Sequence, residues 1–288
     1  SRNQCIPHCV KSLWDNFNYK YDYPVYVHYF DDIYDDENFR NSIREVTSQN
    51  VHFISVPYKT PDWIPQNELY YNRRDLWYVN SGQFTINRKG YLHMCNFTSN
   101  MYGYENTHLH EYDYIMTHDD EAGYSNEVPY NPFEVMEGMD LDMGAYSVNQ
   151  RLKDGGPHQG HLDTRVGLWE FTKKFIEDNN IVPKTPSLNN LLSDSNAEYN
   201  YHLLNWSDTY VIKTKMFETE LWKKWIKAVN ESGGVYKYRW GDNEIITLFA
   251  YIHQNGIYNF NTVNDGIHQQ DKFRNLQDYA PGVKDNER

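Results

Sequence analysis

The residues with the most chemistry per unit length are Thr117-His118-Asp119-Asp120-Glu121, where three consecutive acids follow the short apolar run Asp113-Tyr114-Ile115-Met116-Thr117. Carboxylate oxygens are the donors that Mg2+ and Mn2+ prefer, and such an ion can bridge a diphosphate. The apolar run reads as a buried strand, and the carboxyl ends of strands are where α/β sheets bind ligands. An acidic triplet also suits a solvated turn or a helix start, so the cluster alone leaves both readings open. A second group is Tyr238-Arg239-Trp240-Gly241-Asp242-Asn243-Glu244. Asp242 or Asn243 would cap the strongly apolar helix that follows, or Asp242 would project into a cleft and meet a sugar hydroxyl. The third is Asp265-Gly266-Ile267-His268. His268 is either a surface residue or a neutral imidazole that returns to the acidic cluster as a ligand.

The elements that must position these groups alternate in type. A helix over Val10 to Phe17, with Leu13, Trp14 and Phe17 on one side, precedes a strand over Pro24 to Phe30. A polar helix over Glu37 to Ser48 leads to a strand over Val51 to Pro57, ended by proline. Strand, helix and strand in succession predict an α/β sheet with crossover connections. Pro61 to Gly90 is loop-rich, and Tyr91 to Tyr102 has helical spacing. Leu141 to Val148 reads as a strand and Arg151 to Asp163 as a Gly- and His-containing insertion. Thr164 to Asn179 reads as a helix that buries Val166, Leu168, Trp169, Phe171 and Phe175. Pro183 to Ser195 reads as a polar link, and Tyr210-Val211-Ile212 as a strand. Glu218 to Asn230 is an amphipathic helix closed by Ser232-Gly233-Gly234, followed by a short strand over Val235 to Tyr238 and a last helix over Glu244 to His253. No repeat or linker interrupts the chain, so residues 1–288 are expected to form one domain, with 272–288 a surface tail.

Composition narrows the chemistry. The chain has 288 residues and a formal net charge of -13, which disfavours nucleic acid and anionic membrane surfaces as partners. An acidic protein that binds an anionic sugar nucleotide needs a divalent cation or a local basic patch. Tyr occurs 26 times, Phe 13 and Trp 8, so aromatic rings must fill the core, line a cleft for sugars or bases, or both. No run of about 18 apolar residues marks a membrane span, and no signal-peptide pattern stands at Ser1. Cys5, Cys9 and Cys95 allow one disulfide plus a free thiol, and Cys5-x-x-x-Cys9 lacks the second pair that a zinc site needs. Asn96-Phe97-Thr98, Asn205-Trp206-Ser207 and Asn230-Glu231-Ser232 match the N-glycosylation pattern.

Several segments, taken in order, resemble the fungal-type α-1,2-mannosyltransferases of glycosyltransferase family 15. They are Asn16 to Val25; Val56-Pro57 through Pro61-Asp62-Trp63-Ile64; Tyr91-Leu92-His93-Met94-Cys95-Asn96-Phe97; Tyr112-Asp113-Tyr114 followed by Asp119-Asp120-Glu121; Val128 to Phe133; and Ser232 to Tyr236 with Arg239-Trp240-Gly241-Asp242. The resemblance implies a GT-A fold, with a mixed, mostly parallel central sheet flanked by helices. It implies metal-dependent, retaining transfer of a hexose, mannose in that family, from GDP-mannose or another nucleoside-diphosphate sugar to a glycan or glycoprotein acceptor, with Mn2+ or Mg2+ as cofactor. Carried over by motif, Asp119, Glu121 and His268 are the metal ligands, and Asp119, Asp120, Arg239, Met94 and Asn96 contact the donor. Asp242 faces the sugars as a catalytic residue.

The departures from the pattern are local. Tyr210 stands where the family carries a Glu proposed as nucleophile, and Asp208 lies two residues earlier, so Asp208 and Tyr210 join Asp242 as catalytic candidates. Asn96 replaces an Arg and Ser125 a Cys, and the family's first strand has little counterpart before Cys5. The resemblance places the protein in the Golgi lumen if an anchor precedes the chain, and in the cytoplasm otherwise. Two other classes compete: a carbohydrate- or nucleotide-binding protein that has lost catalysis on the same fold, and a glycosidase working with two carboxylates and no metal.

Overall fold

The computed structural model describes residues 5–30, 37–48, 50–57, 59–73, 89–101, 108–146, 166–193, 209–253, 257–260 and 268–269. Helix α1 (Ile6–Asn16) starts with Pro7 in its first turn, where a missing N–H costs nothing. It buries Cys9, Val10 and Leu13 along one side. The buried Asn18 then closes the loop into the first strand. Its side-chain amide donates to Tyr23 O at 2.8 Å and its Oδ1 accepts from Tyr23 N at 2.9 Å.

Strands β1 (Val25–Phe30) and β2 (Val51–Val56) pair in parallel, with Val25 opposite Val51 and Phe30 opposite Val56. Helix α2 (Glu37–Arg44) lies between them in sequence and buries Phe39 and Ile43, one turn apart. This is the strand–helix–strand unit read from the sequence, although α2 stops short of Ser48.

Helix α3 (Lys89–Asn100) follows, and then β3 (Tyr114–His118) and β4 (Gly123–Tyr124), with the acidic triplet between them. After these come α4 (Pro132–Met139), β5 (Met143–Ala145), α5 (Leu168–Asp178), α6 (Pro186–Ser193) and β6 (Thr209–Lys213). The chain continues through α7 (Lys215–Glu218), α8 (Glu220–Ser232), α9 (Gly234–Tyr238), α10 (Asp242–His253), β7 (Tyr258–Asn259) and β8 (His268–Gln269). Four strands form a mixed sheet in the order β3-β6-β5-β7. Among the described residues β1–β2 and β5–β7 are parallel, while β3–β6, β5–β6 and β4–β8 are antiparallel.

The helices pack an aromatic core. Trp222 meets Phe217 edge-on at 4.6 Å and Phe249 at 4.9 Å, and Trp225 meets Phe175 at 5.0 Å. Trp225 is fully buried, and its indole N–H donates to Ile245 O at 3.2 Å, so the ring's one polar atom is satisfied. A second cluster places Tyr124, Tyr146 and Phe260 together beneath β4. Much of the aromatic content therefore serves ordinary packing.

Several sequence expectations are corrected. Val235 to Tyr238 is helical, because the N–H groups of Tyr236 and Lys237 both return to Gly233 O, at 3.0 and 2.9 Å. A four-residue apolar run does not separate a strand from a helical turn by periodicity. The link at Pro183 to Ser195 contains α6, which is anchored by the buried Leu188 and by Thr185 Oγ1 donating to Tyr251 O at 2.7 Å. Val166 is exposed rather than buried, since α5 begins only after Gly167 at φ 75°. Cys5, Cys9 and Cys95 are all buried free thiols, so the disulfide option is not realised. Asp208, the insertion Arg151 to Asp163 and the tail from 272 lie outside the described residues. No helix among the described residues is long and apolar enough to cross a membrane.

Candidate active site

The acidic triplet sits in the turn that leaves β3 and enters β4, and Ala122 N closes it by donating to Asp119 O at 3.2 Å. Helix α1 braces this turn from one side. Ser12 Oγ donates to Tyr124 O at 3.2 Å and accepts from Tyr124 N at 2.9 Å. Cys9 Sγ donates to Asp119 O at 3.2 Å and lies 3.3 Å from His118 Nδ1. His118 Nδ1 is 3.1 Å from the same carbonyl, which can only accept, so the contact places the imidazole proton on Nδ1.

Burial lowers the His118 pKa to about 4, against a small opposing pull from the Asp119 carbonyl. Burial first, and then the charges of Asp120 and Asp119, push the Cys9 thiol well above its ordinary range. Both groups are therefore neutral near pH 7. They shape the turn through hydrogen bonds. His118 is a neighbour of the acids that holds their backbone.

The three carboxylates differ in exposure. Asp119 and Asp120 are half-buried, whereas Glu121 is only 3% exposed. A carboxylate held that far from water needs positive charge or donors around it. Strand β8 returns the chain to this place: His268 pairs with Tyr124 and Gln269 with Gly123. The late histidine thus arrives opposite a residue three positions after Glu121. Among the described residues no three His, Cys, Asp or Glu side chains form a metal-holding group. Oxygen donors from the turn and an imidazole at this register position suit the chemistry of Mn2+ or Mg2+.

The second constellation forms where α9 meets α10. Gly233 closes α8 in the left-handed region, at φ 69°. A Cβ on Gly234 would lie 2.1 Å from Trp240 Cε3, so glycine there lets the indole pack onto the backbone. Trp240 Nε1 donates to Val166 O at 2.9 Å, which locks the ring. Gly234→Ala is expected to cost about 1–3 kcal/mol, read as a lower denaturation midpoint, because a buried and hydrogen-bonded indole cannot retreat. An unchanged midpoint would contradict this account of the double glycine.

Asp242 is the first residue of α10 and is 8% exposed, so it is a buried member of the helix more than an exposed cap. Burial and the charge of Glu244 raise its pKa to about 7, opposed by backbone N–H groups and by a hydrogen bond from the Cys95 thiol. The Arg239 guanidinium lies 4.2 Å from the Tyr91 ring centroid, and its backbone is left-handed at φ 58°. Arg239, Asp242, Tyr91 and Cys95 therefore share one neighbourhood.

The remaining candidates divide. Met94 is partly buried against the helical core and accepts from Thr98 Oγ1 at 3.6 Å. Asn96 lines a cavity of about 310 Å3 with Trp63 and Asn230. Tyr210 is 3% exposed within the main core and pairs across β6 with Thr117 of β3 and Ala145 of β5. Sequence reasoning missed Cys9 and Ser12 as braces of the turn. Their only signal was that they face the same side of α1 as Leu13.

The architecture is that of a GT-A-type glycosyltransferase. The chain belongs to the family described as glycolipid 2-alpha-mannosyltransferase, whose model matches residues 2–270. Its relatives include the O-glycoside alpha-1,2-mannosyltransferase omh1 of Schizosaccharomyces pombe, 25% identical over 273 residues, covering 91% of this chain and 66% of the relative. Glycolipid 2-alpha-mannosyltransferase 1 of Candida albicans is 25% identical over 249 residues, covering 84% of this chain and 53% of the relative. The chain thus spans between about half and two thirds of the length of these relatives. Among solved structures, core-mannan synthase A from Aspergillus fumigatus, in its Mn/GDP form, superposes with a TM-score of 0.70 at 20% identity, over 90% of this chain and 69% of that one. The mannosyltransferase Ktr4p from S. cerevisiae in complex with GDP gives 0.68 at 20% identity, over 88% of this chain and 64% of that one.

Proposed function

We propose that this chain is the catalytic domain of a divalent-cation-dependent, retaining mannosyltransferase that uses GDP-mannose and a glycan acceptor. The observation that carries the reading is the acidic turn between β3 and β4, with Glu121 buried and β8 returning His268 opposite Tyr124. Family membership supports mannose as the sugar, and the Mn and GDP named for the structural relatives support the cofactor and the base. Asp119, Glu121 and His268 would hold the ion, with Asp120 and Arg239 toward the donor and Asp242 toward the sugars. When bound, the ion neutralises charge that develops on the leaving diphosphate.

The chain's own groups do the rest. Cys9, Ser12 and His118 keep the turn rigid through neutral hydrogen bonds, so its carboxylates need little reorganisation. Arg239 adds positive charge on the side of Asp242, which suits an anionic donor on a protein of net charge -13. Met94 and Asn96 stand on α3, Met94 packed against the helical core and Asn96 lining the cavity.

Tyr210 is placed among core residues, which leaves Asp208 or same-face attack by the acceptor to account for retention. Asp208→Ala discriminates: a covalent route expects a loss of about 10³-fold or more in kcat, and unchanged turnover removes Asp208 from nucleophilic duty. The function itself is tested by a thermal-shift panel of nucleoside diphosphates with and without Mn2+. GDP with Mn2+ is expected to raise Tm more than either alone, and EDTA to reverse the gain. No shift with any nucleotide, and no Mn2+-dependent hydrolysis of GDP-mannose, would instead support a protein that binds glycans without catalysis.

A further inference from the structure

The cavity of about 310 Å3 between α3, the C-terminal end of α8 and the turn at Pro61 contains none of the acidic-turn residues in its lining, nor Arg239 or Asp242. Its volume is at the lower end for ligand pockets, which run from about 300 to 1,000 Å3. Three carboxamides, Asn96, Asn100 and Asn230, line it together with Trp63, Gly233 and Tyr236. No charged side chain lines it among the described residues. The cation at its rim, Lys237, is already paired with Glu68, which leaves little positive charge for a nucleotide or phosphate. A neutral polyol would find amide donors and acceptors beside an aromatic plate.

The parts of this site are fixed in advance. Asn100 and Asn230 exchange amide hydrogen bonds across the two helices, at 3.2 and 2.7 Å. Asn100 Nδ2 also reaches Asn96 O at 2.8 Å. The Asn100 amide spends its N–H groups on Asn96 and Asn230, so the pair's capacity toward a ligand lies on the second N–H of Asn230 and on the remaining lone pairs of the two oxygens.

Trp63 is 53% exposed, yet it is held on several sides. Lys237 Nζ lies 5.2 Å from its ring centroid, and Lys237 is itself paired with Glu68 at 2.9 Å. A Cβ on Gly233 would lie 2.8 Å from Trp63 Cη2, so the left-handed glycine that ends α8 also makes room for the indole. An indole exposed to water but pinned in place costs little conformational entropy when a ring stacks on it.

We propose that this cavity is a saccharide-binding subsite separate from the transfer centre, which takes one or two neutral hexose rings with Trp63 as the stacking surface and the Asn100–Asn230 pair as hydroxyl partner. The site does not depend on the transferase reading; only the choice of mannose as first probe rests on it. The test is titration of the chain with α-1,2-mannobiose, without nucleotide and with EDTA present, followed by Trp fluorescence and saturation-transfer NMR. Saturable binding is expected. Trp63→Ala should weaken it about tenfold, and Asn100→Ala should weaken it measurably while keeping the indole. Both variants should keep the wild-type Tm within a few degrees, because Trp63 is exposed and Asn100 is only half-buried.

Binding that appears only with GDP and Mn2+, or that is unmoved by Trp63→Ala, would place the disaccharide at the transfer centre and overturn the proposal. Absence of binding by mannobiose, cellobiose and lactose alike would also overturn it. A GDP/Mn2+ thermal shift on the same samples reports separately on the transferase reading, so failure of one does not mimic failure of the other.

Discussion

Glu121→Gln is expected to lower Mn2+-dependent mannosyl transfer by about 10²–10³-fold and to raise the Mn2+ concentration needed for half-maximal rate. The substitution keeps the shape and removes the charge. At 3% exposure Glu121 is the member of the triplet that water screens least, so its charge interacts most strongly with an ion in the turn. Asp119→Asn and Asp120→Asn should have smaller effects, because both side chains are half-buried and partly screened. The measurement is initial rate against Mn2+ concentration, with Tm taken in the absence of metal to show that the fold survives. Wild-type turnover with wild-type Mn2+ dependence in Glu121→Gln would remove the acidic turn from the reaction.

Asp242→Asn is expected to lower transfer by about 10²-fold and, at the same time, to stabilise the protein at neutral and higher pH. The opposing signs come from one cause. Burial first, then the Glu244 charge, raise the carboxyl from its ordinary 3.8 to about 7. The native state therefore holds a proton on Asp242 across a pH window in which the unfolded chain has lost it. A raised folded pKa gives stability that is full below about 4 and is lost as pH climbs through about 7. The loss amounts to roughly 4 kcal/mol for a shift of this size. Asn is neutral at every pH, so the variant should match wild type near pH 4 and exceed it near pH 8. Parallel Tm–pH curves for the two proteins would show that Asp242 does not titrate in this window. A carboxyl that burial holds near neutrality, at a stability cost as pH rises, is a candidate for proton-linked chemistry, and Arg239, stacked on Tyr91, shares its neighbourhood.

Much of the frame was legible in the chain. The β-branched and aromatic run after Pro24, the polar helical segment from Glu37 and the proline-ended run from Val51 read as strand, helix and strand, and that unit is present. The ordered motifs marked the acidic turn, Arg239 and Asp242. The errors have local causes. Val235 to Tyr238 has strand-like side chains, but its backbone is committed to a helical turn by the carbonyl of Gly233. Helix α6 carries a proline at its first residue and as many polar as apolar residues, and it is held by a buried Leu188 and a tertiary hydrogen bond to Tyr251 that no periodicity announces.

By itself the sequence determined which acids could serve a metal, that a protein of net charge -13 would need a local cation to hold a nucleotide, and which family motifs stand in what order. Residue types and their spacing are local properties, and these conclusions need nothing else. Only the tertiary structure decided how buried each acid is: it sealed Glu121, left Asp119 and Asp120 half-open, and raised Asp242 to near neutrality. It alone brought His268 beside β4 and Cys9 onto the Asp119 carbonyl, across separations of more than a hundred residues. It also turned Asn96 toward Trp63 and Asn230. Exposure and long-range adjacency arise from packing of the whole chain, and packing is what a reading along one dimension leaves out.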